Sequence, residues 1–335
     1  MNNELKLNYS TSPHLRSKNN VQGAMYDVII ALIPISAVAI YFFGMNAVFT
    51  IAICLITATL TDLAFKRMLG RGNTPFDGSA LVTGLLIALC FSVETSWWTL
   101  IVATVIGVGV AKELMGGIGW NLFNPALFGR VSGILFASLF FNQLNISFAP
   151  LGFRAAPVDV VTQGTPLALM KMGAEMPPLG QMFIANQGGG LAEVSPLALL
   201  IGAVFLFVRG HIKWHIPVSI IATVFVIGLV FQGPEMAVYH LLAGGLMLGA
   251  LYMATDWVTS PVTPKGMLIF GVAIGVLIMV FRLALSPTEG TAFAILIMNV
   301  FVPMIDRLTK RPVFGAVPAK AQATAAVSET ANKPA

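Results

Sequence analysis

The feature that most limits what this chain can become is its succession of apolar segments. Ten can be drawn along the 335 residues, most of them near the 20 or so residues that a helix needs to cross a bilayer. They are Met25–Phe43, Ala47–Phe65, Ser79–Phe91, Trp97–Leu114, Pro125–Phe141, Pro196–Val208, His215–Phe231, Ala237–Ala254, Met267–Leu285 and Ala292–Ile305. The third and sixth are short, as tilted, broken or partly buried helices are. Charged residues are 10% of the chain and hydrophobic ones 57%, where soluble domains carry roughly 25% charged. The expected class is an all-α polytopic membrane protein of about ten transmembrane helices in the lipid bilayer. The net charge of +5 is no sign of nucleic-acid binding, because the basic residues cluster in turns between apolar runs.

Their placement orients the chain. With the N-terminus inside, the outer segments hold only Arg154 and Lys171 of the 19 Lys and Arg, and Arg130 and Arg282 fall within spans. That asymmetry puts both termini in the cytoplasm. The expected divisions are a cytoplasmic N-terminal segment (1–24), a first five-helix half (25–141), an outer-face loop (142–195), a second five-helix half (196–306) and a cytoplasmic tail (307–335). The tail, rich in Ala, Thr, Lys and Pro, reads as disordered. Five spans per half is an odd number, so a repeat between the halves must be inverted in the membrane. Such an inversion is expected to relate two polar segments, Thr74-Pro75-Phe76-Asp77-Gly78-Ser79 and Ala254-Thr255-Asp256-Trp257-Val258-Thr259-Ser260-Pro261.

Polar residues inside apolar spans are costly and call for a partner. Asp62, Glu113 and Asp306 lie near cytoplasmic span ends, where interfacial solvation accounts for them. Asp77 and Asp256 stand apart because Thr, Ser and Pro surround both. Segments of that kind interrupt helices and turn carbonyls toward an ion or cofactor, which makes Asp77 and Asp256 candidates for a cation path. Gly116, Gly117, Asn121 and Asn124 lie in the cytoplasmic turn between spans four and five. Glycine there permits close backbone approach, and Asn can bond a polar ligand or freed backbone groups. A tight interhelical turn explains these residues equally well. Arg130, about two turns into span five, has to face protein, water or an anionic ligand. Cys54 and Cys90 read as small buried apolar residues. No CxxC or Cys/His spacing exists, and His211 and His215 straddle a basic turn that reads as membrane-surface charge, so no metal site is expected. No nucleotide-binding fingerprint is present.

The longest polar interruption holds Asp159–Leu167, DVVTQGTPL. Thr165 follows Gly164, which lets a bulky group approach the backbone, and precedes Pro166, which stiffens the chain and can start a helix. Asp159 can accept hydrogen bonds or position a metal during modification. Two readings stay open on the residues alone. Thr165 is a helix N-cap with Pro at the first helical position, or it is an accessible attachment point.

Several segments, in this order and spacing, resemble a known family. They are Ser12-Pro13-His14-Leu15-Arg16-Ser17-Lys18, Thr74–Gly84, Phe123-Asn124-Pro125-Ala126, Met253-Ala254-Thr255-Asp256 with Thr259-Ser260-Pro261, and Pro303-Met304-Ile305-Asp306-Arg307. From about Ser12 to Gly315 the chain is similar to the D subunits of Rnf complexes, membrane-bound ferredoxin:NAD oxidoreductases that move Na⁺ or H⁺. It is more distantly similar to the B subunit of the Na⁺-translocating NADH:quinone reductase.

The resemblance implies covalent FMN, joined by a phosphoester to a threonine of the outer loop. The family pattern is Asp, two residues, Ser or Thr, Gly, Ala, then the acceptor. Asp159, Thr162 and Thr165 match it, and Pro166-Leu167 agrees with the Rnf form. Gln163 stands where Gly is usual and Gly164 where Ala is usual. A second, non-covalent flavin, riboflavin or another, is implied within the bundle, with Gly116, Gly117, Asn121, Asn124 and Arg130 as its expected surroundings. The implied partners are the other Rnf subunits and, for maturation, a flavin transferase. The implied location is a bacterial or archaeal inner (cytoplasmic) membrane. Such a chain relays electrons as part of an oxidoreductase complex and is not catalytic alone. Without the resemblance, two inverted five-span halves suit a stand-alone small-solute channel or transporter, with Asp77 and Asp256 at its filter.

Overall fold

A computed structural model describes residues 20–71, 77–141, 166–172, 176–184, 189–284 and 290–310. Among them the chain is helical, with no strand. The first half supplies α1 (Val21–Phe43), α2 (Met45–Met68), α3 (Ser79–Cys90), α4 (Trp97–Leu114) and α5 (Pro125–Phe136). Two short helices, α6 (Pro166–Met172) and α7 (Leu179–Ile184), follow. The second half supplies α8 (Pro196–Val208), α9 (His215–Gln232), α10 (Pro234–Leu242), α11 (Leu246–Met253), α12 (Pro264–Ala284) and α13 (Gly290–Leu308).

Local chemistry sets many of these boundaries. The Asn20 side chain accepts from Gly23 N at the start of α1. Ser96 caps α4, and Ser195 caps α8 with Pro196 in the first turn. Asn124 accepts from Ala126 N and Leu127 N ahead of Pro125, so two free N–H groups of α5 are bonded and the missing N–H of proline costs nothing. Gly244 (φ 72°) and Gly245 (φ 64°) occupy left-handed backbone between α10 and α11, and the two helices meet there at a bend of 66°.

Among the described residues the apolar runs of the sequence are helical, but fewer than the ten expected are long enough to be spans. Among the described residues six helices (α1, α2, α4, α9, α12 and α13) are long and apolar enough to cross a membrane, and α10 with α11 is a bent pair that reaches that length only together. α3, α8 and the Pro125–Leu139 stretch that includes α5 are shorter. The 12 residues of α3 extend about 18 Å, well short of a hydrocarbon core of about 30 Å. Of the three, α3 is inside the bundle instead. Ten of the α3 residues are buried, from Ser79 to Cys90.

α2 packs against α3 and α4, and α4 against α5. α9 packs against α10 and α12, and α12 against α13. α1–α8 and α5–α13 contacts join the halves. The α4–α5 contact is close because both sides are small. A Cβ on Gly129 would fall 2.5 Å from Ala103 O, and one on Gly107 would fall 2.7 Å from Pro125 O. This is how helices gain dispersion contact where lipid supplies no hydrophobic drive. A second, smaller cluster lies where α6 and α7 meet α10. There Leu167 and Met182 pack with Tyr239 and Ala243, and Tyr239 OH donates to Pro177 O at 2.9 Å.

Candidate functional site: a chamber and a buried row of charges

The starts of α1, α3 and α5 converge with the ends of α4, α8 and α11 at one end of the bundle. They enclose a cavity of about 330 Å³, within the roughly 300–1,000 Å³ range of small-molecule pockets. Val28, Leu86, Leu206 and Tyr252 are among its apolar walls, and Ser79, Lys112, Asn121 and Asp256 among its polar ones. Apolar walls with few convergent polar groups are the usual lining of small-molecule sites.

Asn124 also borders the cavity, but its amide is committed to structure. Besides capping α5, it donates to Met253 O at 3.1 Å, tying α5 to the end of α11. Asn299 backs it from α13, accepting from Asn124 N at 3.0 Å and donating to Thr259 O at 3.2 Å. Asn121 donates to Phe123 O at 3.3 Å and bonds the Asp256 carboxyl. Asp256 further accepts from Thr259 Oγ1 at 3.0 Å and from the N–H groups of Trp257 and Val258. Burial pushes its carboxyl above the usual carboxylate range, and those donors counter only part of the rise.

One side of the chamber wall is backed by charge. Lys112 Nζ lies 2.7 Å from Asp62 Oδ1 and 3.3 Å from Glu113 Oε1. Lys66 Nζ lies 2.7 Å from Asp62 Oδ2 and 2.8 Å from Asp77 Oδ2. Arg71 Nη1 reaches Glu113 Oε2 at 3.6 Å and donates to Glu113 O at 2.8 Å. Asp77 Oδ1 accepts from both Ser79 N (2.9 Å) and Ser79 Oγ (2.7 Å). Burial alone would raise the Asp77 carboxyl. Lys66, the Ser79 hydroxyl and N–H, and the Lys112 charge outweigh it and hold Asp77 below the usual range.

The cavity rim is latched by a second set. Asp27 of α1 accepts from Arg209 Nε (3.1 Å) and Nη2 (3.0 Å), and His211 Nε2 lies 2.6 Å from Asp27 Oδ2. Trp257 Nε1 donates to His211 O at 2.8 Å.

Of the residues singled out from sequence, Asn121, Asn124 and Asp256 border one chamber. Asp77 stands behind its wall, joined to it through Ser79. Gly116 (φ 132°) and Gly117 (φ 89°) shape the turn after α4, where Gly117 N bonds Lys112 O, and they are not in the lining. Arg130 is elsewhere. It donates to Cys90 O and borders a separate crevice of only about 20 Å³ with Glu193 and Gly244. Pro166 is the buried first residue of α6. Asp159, Thr162, Gly164 and Thr165 lie outside the described residues.

Three expectations need correcting. Asp62 and Glu113 are not solvated at the interface, since each is 1% exposed and ion-paired. His211 is not plain surface charge, being bonded to Asp27 under the chamber rim. The Asp77 and Asp256 segments are not equivalents under inversion, which would set them at opposite ends; both lie at the chamber end. The residues that sequence reasoning missed are Lys66 and Lys112. Their one local signal was the Asp62–Lys66 spacing of four on a helix. Cys54 and Cys90 are buried, and neither is in a disulfide. Among the described residues no three His, Cys, Asp or Glu side chains group as metal ligands.

The fold and cavity define a multi-pass helical membrane protein with an internal chamber of small-molecule size at one end of its bundle. The chain belongs to the NQR2, RnfD, RnfE family, whose model matches residues 8–315. It is 40% identical over 328 residues to the D subunit of the Na(+)-translocating ferredoxin:NAD(+) oxidoreductase complex of Acetobacterium woodii, covering 96% of this chain and all of the relative. It is 34% identical to the D subunit of the proton-translocating ferredoxin:NAD(+) oxidoreductase complex of Clostridium ljungdahlii, covering 91% and 95% of the two chains. It is 32% identical to the D subunit of the ion-translocating oxidoreductase complex of Stutzerimonas stutzeri, covering 89% and 93%.

Proposed function

We propose that this chain is the flavin-carrying membrane subunit of an ion-translocating ferredoxin:NAD oxidoreductase complex, relaying electrons in concert with Na⁺ or H⁺ movement. The observation that carries the reading is the chamber. It is a largely apolar cavity with Lys112, Asn121 and Asp256 at its walls, in a chain aligned with its D-subunit relatives over nearly its whole length. The donor set fits a non-covalent flavin. Asn121 and Ser79 can meet the polar edge of a ring, Lys112 offers a cation, and Val28, Leu86 and Tyr252 can face its planes.

FMN joined to Thr165 by a phosphoester is the second part of the proposal, with Asp159, Thr162, Gly164 and Pro166 as the motif around it and a flavin transferase as the maturing enzyme. Flavins supply both one- and two-electron chemistry, and the protein supplies position and electrostatics. The buried Pro166-Leu167 pair, packed against the α10–α11 bend, holds the chain directly after Thr165 to the bundle. Asp77 and Asp256 are the proposed acidic residues of a cation route, near and at the chamber. The matched pairings α2–α3, α2–α4, α4–α5 and α9–α10, α9–α12, α12–α13 support an inverted five-helix repeat of ten membrane-inserted segments. The proposed setting is the cytoplasmic membrane, with both termini and the chamber on the cytoplasmic side.

Expression with a flavin transferase, denaturation and in-gel fluorescence tests the covalent link. The wild-type chain should fluoresce and a Thr165→Ala chain should not. A dark wild-type band refutes covalent flavin, and an equally bright Thr165→Ala band moves its attachment elsewhere.

A further inference from the structure

Five charged side chains of the row behind the chamber are embedded among apolar helices. Asp62, Lys66, Lys112 and Glu113 are each at most 6% exposed, and the Asp77 side chain is 18% exposed. Burying ion pairs is a poor route to stability, because desolvation offsets most of the attraction and apolar replacements often do as well. Charges inside membrane helices mark ion or proton routes more often than structure.

The geometry here is directional. Starting from Asp77, the most exposed of the five, the contacts run Asp77 Oδ2 to Lys66 Nζ (2.8 Å), Lys66 Nζ to Asp62 Oδ2 (2.7 Å), and Asp62 Oδ1 to Lys112 Nζ (2.7 Å). Each step is within hydrogen-bond reach. The two Asp62 oxygens face different lysines, so that carboxylate is a bridge and not half of an isolated pair. The row ends on Lys112, which is part of the chamber wall. Glu113 flanks the last step, its buried carboxyl facing Lys112, the Asp62 carboxyl and Arg71 from beyond α2. Across the chamber the facing acid is Asp256.

We propose that Asp77, Lys66, Asp62 and Lys112 form a proton path between the surface at the chamber end and the chamber, with Lys112 as the proton donor and acceptor at the wall. The proposal rests on the chamber holding a redox-active ring, as read above. On reduction of a ring held there by two electrons from a one-electron donor, Lys112 would give it one proton as its N–H bond breaks, leaving a neutral amine. The Asp62 carboxylate takes a proton from the Lys66 ammonium, turns and passes it to Lys112. The Asp77 carboxylate takes one from water and passes it to Lys66, so that every group ends in the state in which it began. Oxidation of the ring runs the same transfers outward.

The test uses the purified full-length chain carrying Thr165→Ala, so that only non-covalent flavin remains. The reduced protein is mixed with ferricyanide, which accepts electrons without protons, and flavin absorbance and a pH-indicator dye are followed together. Without a further change, proton release should keep pace with flavin oxidation. Lys112→Met should slow release about tenfold or more, as loss of a positioned proton donor does. Lys112→Arg is the deciding variant. It keeps the cation and its pairing with Asp62, but a guanidinium does not give up its proton. Slow release from flavin-loaded Lys112→Arg supports the path, and Lys66→Arg should behave alike. Release from Lys112→Arg at the unsubstituted rate overturns the path and leaves the chamber reading intact. A chain that binds no flavin in the Thr165→Ala background overturns both.

Discussion

Asp77 and Asp256 carry the same carboxyl in two opposite settings, and the difference has a sign that can be measured. Asp77 faces an ammonium, a hydroxyl and an N–H, which hold it below its ordinary value of 3.8. A group depressed on folding adds stability above its unfolded value, lost as pH falls through the folded one. Asp77→Asn should therefore lower the unfolding midpoint in detergent at pH 7, by about 1–3 kcal/mol for a lost charged hydrogen-bond partner, and flatten the decline toward acid below about pH 4. Asp256 is shifted upward, mainly by burial. Its contribution is favourable while it holds its proton and is lost as pH rises through its raised value. Asp256→Asn should leave the pH 7 midpoint unchanged or higher. A thermal series of both variants from about pH 2 to pH 8, followed by tryptophan fluorescence, checks the pair, and equal shifts would show that the surroundings do not distinguish them. The sequence marked both aspartates as unusual from their Thr, Ser and Pro neighbours. It could not separate them, because the deciding partner Lys66 is on another element.

The bend between α10 and α11 shows the same at the scale of elements. The sequence showed one uninterrupted span from Ala237 to Ala254, and what holds its break at Gly244-Gly245 comes from afar. Arg282 of α12 donates to Ala243 O at 2.8 Å and to His240 O, and Thr291 of α13 donates to Gly244 O at 3.3 Å. A buried arginine thus bonds the carbonyls that the break leaves free, which is what makes interrupted helices tolerable in a membrane. Leu167 of α6 fills the space beside Gly244. Gly244→Ala should cost about 1–2 kcal/mol for left-handed backbone alone and more for its clash with Leu167. Adding Leu167→Ala should recover only the clash. If the single and double variants melt together, Leu167 does not bear on the bend. Short α3 follows the same logic. Its apolar run was legible, while its burial inside the bundle, which frees it from the length a span needs, was not.

For the whole molecule, class, helix positions and orientation come from quantities that sum along the chain. Lys and Arg asymmetry predicts that a fluorescent protein fused after Ala335 will fold and shine, and that a periplasm-dependent phosphatase at the same place will stay inactive. The reverse pattern would invert the whole arrangement, the chamber end included. The ion is a different matter. The Acetobacterium woodii relative is named for Na(+) and the Clostridium ljungdahlii relative for protons, at similar levels of identity, so overall likeness does not choose between them.

By itself the sequence determined that the chain is a bundle of apolar helices in a membrane and where those helices lie. These depend on local composition and on hydrogen bonds within one turn. Only the tertiary structure decided that six helix ends enclose a chamber and that four charges line up behind it. Asp62 meets Lys112 across 50 residues and Asn124 meets Met253 across 129. Contacts of that reach are set by which helices pack together, and no local pattern of residues records that choice.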